Sequence, residues 1–263
     1  DQTVNPYGRD KIEEYKLNKV KENFDGATLS WLESEGLDSE QTDGIGADET
    51  IKFLEKFSKS KENFFLAFGL YRPHIPFVAP KKYFELYEKD DMVVPSNGDD
   101  FLKTISAPAA KSLRARKEQI NLDDSTIKTV KEAYYATTSF VDAQVGKVLD
   151  KLKETGLDKN TIVVFTSDHG YHLGEKGHWQ KQTLYDRATR VPLIISGPGI
   201  ISGLKIKDSP VELVDLYKTI MDMANVSIPE FVQGFSLKDV LTKNIQPKRK
   251  SALSEINVYL EGK

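Results

Sequence analysis

From Ser125 to Glu154 the chain reads "STIKTVKEAYYATTSFVDAQVGKVLDKLKE", with apolar residues at three-and-four spacing over many turns and "TG" closing the run. A helix this long needs a broad apolar surface to lie on, so the segment predicts a long helix packed on a sheet. Three apolar runs of strand length supply the sheet: "NFFLAFGL" (63–70), "TIVVFTS" (161–167) and "RVPLIIS" (190–196), the last ending at the turn "GPG". Such runs suit strands covered on both faces of a parallel sheet. Helix alternating with strand is the order of an α/β fold.

Shorter elements fill in around these. "ADETIKFLEKFSK" (47–59) puts Ile51, Leu54 and Phe57 at helical spacing, with Asp48 and Glu49 in the first turn where the helix dipole favours them. "PKKYFELYEK" reads as a short helix, and "SPVELVDLYKTIMDMA" as another with Ser209 as cap and Pro210 in its first turn. The turn-rich opening, through about Gly46, reads as a wrap anchored by Trp31 and Leu32. Signals weaken after Val226, where "SALSEI" is a short strand candidate.

Composition bounds the function. At 39% hydrophobic, 29% charged and net charge −3, the chain suits a soluble globular protein of one large or two small domains. Acidic and basic residues are interspersed, which argues against nucleic acid as a partner, and Lys248-Arg249-Lys250 reads as a solvated loop. There is no cysteine, so no disulfide or thiolate site exists in these residues. No apolar run approaches the roughly 20 residues of a membrane span. The start "DQTVNPYGRD", with neither Met nor a signal pattern, leads us to expect a processed or excised piece.

Two polar clusters follow apolar runs, where α/β sheets place ligands. After "TIVVFTS" come Asp168 and His169, a hard carboxylate beside an imidazole, then a loop in which glycines 170, 174 and 177 interleave with Glu175, Lys176, His178 and Lys181. A metal ion suits the pair; the plain alternative is a turn cap with a locally bonded His. After "NFFLAFGL", prolines 73, 76 and 80 surround Arg72 and His74 and fix the direction of the imidazole, although a single His in such a loop is commonly structural. Cations around a dication point to an oxyanion substrate.

"FTSDHGYHLGEKGHWQKQTLYDRATRVPLIISGPG" and "FFLAFGLYRPHIPFVAPKKYFELY" closely resemble two segments of the sulfatases, of the branch like iduronate 2-sulfatase, and the resemblance runs from about Ile45 to Ile256. It implies an α/β fold like that of alkaline phosphatase, a three-layer sandwich with a largely parallel central sheet, here incomplete at both ends. Residues 1–225 would belong to the catalytic domain and 226–263 to the start of a smaller C-terminal subdomain. It also implies sulfate ester hydrolysis, with one divalent cation, calcium by family habit, and a formylglycine made from Cys or Ser.

By position, the resemblance makes Asp168 and His169 metal ligands and Lys181 a contact to the sulfate. It likewise makes His74 the histidine that would face the substrate and a candidate for protonating the leaving oxygen. His172 and His178 match no catalytic position and are expected at an exposed rim. A histidine is unusual for calcium, so the metal's identity stays open. The family's nucleophile pattern, Cys/Ser-x-Pro-x-Arg, is not present; "SAPAA" (106–110) lacks the Arg and has no helix start behind it. The pairs Asp90-Asp91, Asp99-Asp100 and Asp123-Asp124 read as solvated turns. The expectation is therefore a sulfatase fragment, inactive alone, acting when whole on a sulfated carbohydrate or small sulfate ester, with a periplasmic or secreted address implied by the family. Two alternatives stay open: a metal-dependent phosphodiesterase or phosphonate hydrolase of the same superfamily, and a non-catalytic binding module derived from a sulfatase.

Overall fold

The computed structural model describes residues 17–21, 28–60, 62–206, 209–247 and 249–256. The chain forms two compact units, Asp1–Asp158 with His172–Gln180, and Lys159–Tyr171 with Lys181–Lys263.

In the first unit, β1 (Asn18–Lys19) pairs antiparallel with β2 (Ser30–Ser34), which pairs parallel with β3 (Phe77–Pro80) in the register Trp31 to Phe77 through Ser34 to Pro80. The helices are α1 (Thr42–Ser60), α2 (Lys81–Phe84), α3 (Asp99–Leu102), α4 (Ala107–Leu113) and the long α5 (Asp124–Glu154). Asp123 caps α5 by accepting from Thr126 N at 2.9 Å, satisfying one of the amides that a helix start leaves unpaired.

The apolar stripe of α5 is what the sequence predicts. Val130, Ala133, Thr137, Phe140 and Gln144 are all buried, and the helix packs on β2, β3, α1 and α2. Tyr134 sets its ring edge-on to Phe77 at 5.6 Å, and Phe140 meets Tyr83 at 5.4 Å. Burying Phe140 alone contributes about 1.5–3 kcal/mol. A polar knot ties the layers together: Asp38 Oδ2 accepts from Tyr83 Oη at 2.7 Å and Gln144 Nε2 at 3.0 Å, and Oδ1 stands 2.7 Å from Lys82 Nζ.

Helix α1 starts earlier than the expected residue 47 and takes in Gly44 and Gly46. A Cβ on Gly44 would lie 1.8 Å from the Asp38 carbonyl, so the glycine permits a close backbone crossing. The run 63–70 departs further from expectation. It is extended, but among the described residues its backbone pairs with no strand, and alternate side chains such as Phe65 are exposed. Burial on both faces requires neighbours, and apolar composition by itself does not supply them.

The second unit pairs β4 (Val163–Thr166) antiparallel with a later strand, and the hairpin β5 (His172–Leu173) with β6 (Trp179–Gln180) lies between them in sequence but belongs to the first unit. That later strand is β7 (Leu193–Ser196), in the register Val163 to Ser196. Phe165 and Ile194 face each other across it and are exposed, so these strands too are not covered on both faces. Helices α6 (Asp186–Thr189), α7 (Asp215–Met223) and α8 (Lys238–Lys243) complete the unit.

Three expectations are corrected here. The helix expected from Ser209 begins only at Asp215, because the Asp215 carboxylate accepts from Glu212 N (2.9 Å) and Phe235 N (2.8 Å) and folds the preceding residues into a turn. Arg249 is not solvated: its Nη2 stands 2.6 Å from Asp215 Oδ1, its Nη1 2.5 Å from Glu212 Oε2, and its guanidinium lies 4.9 Å over the Phe235 ring. Lys248 of the same run lies outside the described residues. Residues 251–256 form no strand among the described residues; the Leu253 amide donates to the Glu212 carboxylate instead of to a neighbouring strand.

Candidate active-site residues

The loop after β4 is shaped by local bonds. Thr166 Oγ1 donates to Pro192 O (2.9 Å), Ser167 Oγ to His169 O (2.9 Å) and Gly170 N to Ala188 O (2.7 Å). A Cβ on residue 170 would sit 2.1 Å from Arg187 O, so this close crossing requires glycine.

Asp168 Oδ1 accepts from His169 N at 3.0 Å, the turn-capping role weighed above. The imidazole is oriented as well. His169 Nδ1 lies 2.8 Å from the Gly170 carbonyl, and since only an N–H satisfies a carbonyl there, the proton sits on Nδ1 and the lone pair on Nε2. Nε2 in turn stands 3.5 Å from Asp168 Oδ2. A carboxylate oxygen and an imidazole nitrogen thus converge from one turn, with the second ring nitrogen held by a backbone carbonyl as in many metal-ligating histidines.

This donor set fits a divalent cation as part of a shell. Among the described residues no cluster of three His, Cys, Asp or Glu forms, so Asp168 and His169 are a pair without further protein ligands there. Lys181, half-buried, follows β6 directly; its carbonyl accepts from Thr183 N at 2.7 Å, and its ammonium makes no ion pair among the described residues.

His74 belongs to the first unit. Its amide donates to Tyr71 O at 2.9 Å in a tight turn, and the Arg72–Pro73 and Ile75–Pro76 peptides are cis. Its Nδ1 lies 2.7 Å from the Ile75 carbonyl, so Nε2 is the ring nitrogen not engaged by that carbonyl, on a residue exposed to solvent. Two buried residues hold this turn from beneath. Asp43, in the first turn of α1, accepts from Tyr71 N (2.8 Å) and Arg72 N (2.9 Å), and Arg72 Nε donates to Val78 O at 3.0 Å. Sequence reading did not single out Asp43; the available signal was an acidic residue at a helix start, masked by the glycines beside it.

His172 and His178 are not at an exposed rim. They are 1% and 4% exposed and pack edge to face, centroids 4.8 Å apart. His178 Nδ1 lies 3.1 Å from the Leu113 carbonyl. Burial pushes its pKa below the ordinary histidine value, the charge of Arg114 adds to that, and the Leu113 carbonyl opposes without prevailing, so the ring is neutral near pH 7. Spacing does not reveal burial in a loop this rich in glycine.

The "SAPAA" segment does open a helix, α4, with Ser106 just before it, correcting that expectation; the Arg of the nucleophile pattern is still missing. The aspartate pairs sit at or just before helix and 3-10 starts, where unpaired amides attract carboxylates.

Comparison with known proteins places these segments. The Sulfatase family model matches residues 3–226. A sulfatase of Formosa agariphila is 39% identical over 197 residues, 73% of this chain and 38% of that protein. Human iduronate 2-sulfatase is 32% identical over 222 residues, 71% of this chain and 40% of that protein. Among solved structures, a phosphonate monoester hydrolase from Silicibacter pomeroyi superposes with TM-score 0.75 at 27% identity, over 92% of this chain and 51% of that one. A protein solved with its substrate D-glucosamine-2-N,6-O-disulfate superposes with TM-score 0.60 at 25% identity, over 77% and 52%. The chain therefore spans about 40% of the length of these curated relatives. The fold is the alkaline-phosphatase-like α/β fold of these neighbours.

Proposed function

The chain belongs to the sulfatase family, and from that premise we propose that this protein hydrolyses sulfate esters of sulfated carbohydrates. The observation that carries the reading is the turn after β4, where Asp168 Oδ2 and His169 Nε2 converge to 3.5 Å with the imidazole tautomer set by Gly170. The substrate class is supported by the relatives, an iduronate 2-sulfatase and a protein bound to a disulfated glucosamine.

In this reading Asp168 and His169 hold part of a divalent-cation shell, calcium by family resemblance, and the cation when bound supplies Lewis acidity toward a sulfate oxygen. Lys181 places its ammonium against the sulfate oxygens and offsets charge that grows in the transition state. His74, with Nδ1 engaged by Ile75, offers Nε2 as the atom that carries a proton to the leaving oxygen. The nucleophile, a formylglycine, comes from outside these residues, which hold no Cys and no Ser-x-Pro-x-Arg. Residues 1–225 are assigned to the catalytic domain and 226–263 to the smaller subdomain, in a secreted or periplasmic protein. No helix among the described residues is long and apolar enough to cross a membrane.

A second reading, phosphonate or phosphodiester hydrolysis, is favoured by the TM-score of 0.75 with the phosphonate monoester hydrolase. Parallel assays separate the two. Polypeptide that includes these residues and a matured formylglycine is expected to cleave 4-nitrophenyl sulfate and a sulfated disaccharide much faster than a phenylphosphonate monoester. Preference for the phosphonate, at equal protein and metal, overturns the sulfatase reading.

A further inference from the structure

His74 is an exposed residue whose ring is steered by backbone: Nδ1 lies 2.7 Å from the Ile75 carbonyl, and the His74 amide closes the turn on Tyr71 O at 2.9 Å. The direction of the imidazole therefore follows from the path of residues 71–75. That path is gripped from two sides within the first unit. On one side Asp43 takes the consecutive amides of Tyr71 (2.8 Å) and Arg72 (2.9 Å). On the other, the Arg72 side chain reaches past the turn, with Nη1 3.4 Å from His74 O and Nε 3.0 Å from Val78 O.

Both grips end in the interior of that unit. Asp43 is buried in the first turn of α1 between buried Thr42 and Gly44, where Gly44 crosses close over the Asp38 carbonyl. Arg72 is buried too, and Val78 lies at the centre of β3, itself wholly buried and paired with β2. Burying a carboxylate and a guanidinium costs desolvation that apolar side chains at the same positions would avoid. What the two polar groups add is direction. An acceptor shared by two successive amides fixes the peptide entering the turn, and a donor to carbonyls fixes the peptide leaving it.

We infer that Asp43, with Arg72 as its counterpart, is a positioning residue for His74: it sets the backbone on which the imidazole keeps its Nδ1 proton on Ile75 O, so that Nε2 is the nitrogen that gains and gives up a proton. The inference rests on the role proposed above for His74. It follows the general requirement that reacting groups on loops be fixed by residues that do not themselves react.

Nitrogen NMR of the 263-residue chain carrying isotopically labelled histidine tests it without needing turnover. In alkaline buffer, where an ordinary imidazole is neutral, the spectrum reads which ring nitrogen holds the proton. Wild-type His74 is expected in the Nδ1–H form. In Asp43→Ala and in Arg72→Met it is expected to become a mixture with the Nε2–H form that free histidine favours, while α5 amides stay protected from exchange. Asp43→Asn, which keeps one acceptor for the two amides, is expected to lie nearer wild type. If Asp43→Ala also exposes α5, Arg72→Met decides alone. An unchanged His74 spectrum in the folded variants, or Asp43→Asn no nearer wild type than Asp43→Ala, overturns the inference.

In polypeptide that turns over, leaving groups give a second readout. 4-Nitrophenolate departs without a proton, whereas a sugar alkoxide needs one, so Asp43→Ala is expected to lower kcat for a sulfated disaccharide about tenfold more than for 4-nitrophenyl sulfate. Equal losses on the two esters overturn the positioning role. A polypeptide inert toward both counts against the sulfatase reading and leaves the NMR result to decide the positioning.

Discussion

Asp43 Oδ1 accepts a 2.8 Å hydrogen bond from the backbone N–H of Tyr71, 28 residues away in sequence, and its Oδ2 takes the next amide, that of Arg72, at 2.9 Å. One buried carboxylate thus holds the start of the turn that presents His74. Asp43→Ala leaves the amides of Tyr71 and Arg72 without their acceptor, and is expected to cost the first unit about 2–4 kcal/mol. Asp43→Asn, which keeps one acceptor, is expected to cost less. Urea unfolding followed by tryptophan fluorescence measures both, and equal stabilities for the two variants and wild type would contradict the assignment.

In the second unit Arg249 is the counter-charge for Asp215, which is 1% exposed. Burial alone would raise the Asp215 pKa, but the Arg249 guanidinium and the amides of Phe235 and Glu212 outweigh it and hold it below the ordinary 3.8. With the folded value depressed, the unfolded chain takes up its proton first as pH falls. The contribution is therefore complete above about pH 4 and is lost as pH drops through the folded value. Arg249→Met strands a buried carboxylate, and a loss of about 3 kcal/mol is expected. Calorimetry at pH 7 and pH 3 is the check: the gap between wild type and variant should narrow in acid.

His178 gives the first unit a different pH dependence. Its folded pKa lies below the ordinary 6.5, so on acidification the unfolded chain protonates before the folded one. Stability is intact above about pH 6.5 and declines below it, by at most about 1.4 kcal/mol per pH unit for one such group. His178→Asn removes this titration. Melting temperatures from pH 7.5 to 5.5 should fall for wild type and stay flatter for the variant; parallel curves would exclude His178 as the source.

The proposed site predicts two further results. Calcium titrated into these 263 residues alone is expected to show no tight stoichiometric binding, because Asp168 and His169 supply only part of a shell among the described residues. A calorimetric isotherm with a sharp one-to-one transition would refute that.

In polypeptide that turns over, Lys181→Ala is expected to lower kcat about 10²–10³-fold, the usual loss for one preorganised charge stabiliser. Retained folding of that variant, shown by circular dichroism, separates the chemical loss from a structural one.

Much of the scaffold is legible locally. The three-and-four spacing of Val130, Ala133, Thr137, Phe140 and Gln144 is a property of the helix itself, and the structure buries that face. The Asp-His-Gly turn is legible in part for the same reason: the Asp168 carboxylate and the His169 imidazole are adjacent in sequence and meet within one turn, while the need for glycine at 170 comes from the remote Arg187 carbonyl. Misreadings fall where partners are remote. Arg249 looks solvated until Asp215 and Glu212, more than thirty residues away, are folded against it. The run 63–70 looks buried because composition records affinity for an interior and says nothing about which neighbours provide one.

By itself, then, the sequence determined the elements whose cause lies within a few residues: the long helix α5, the strands β4 and β7, and the adjacency of Asp168 and His169. Tertiary structure alone decided which polar side chains are buried and what they serve. Asp43 under the His74 turn, the His172–His178 pair in its hairpin and Arg249 on Asp215 all depend on contacts between segments far apart in the chain. The physical reason is that burial and pairing change the energy of a charge or an imidazole far more than sequence neighbours do, and they arise only when distant segments are packed together.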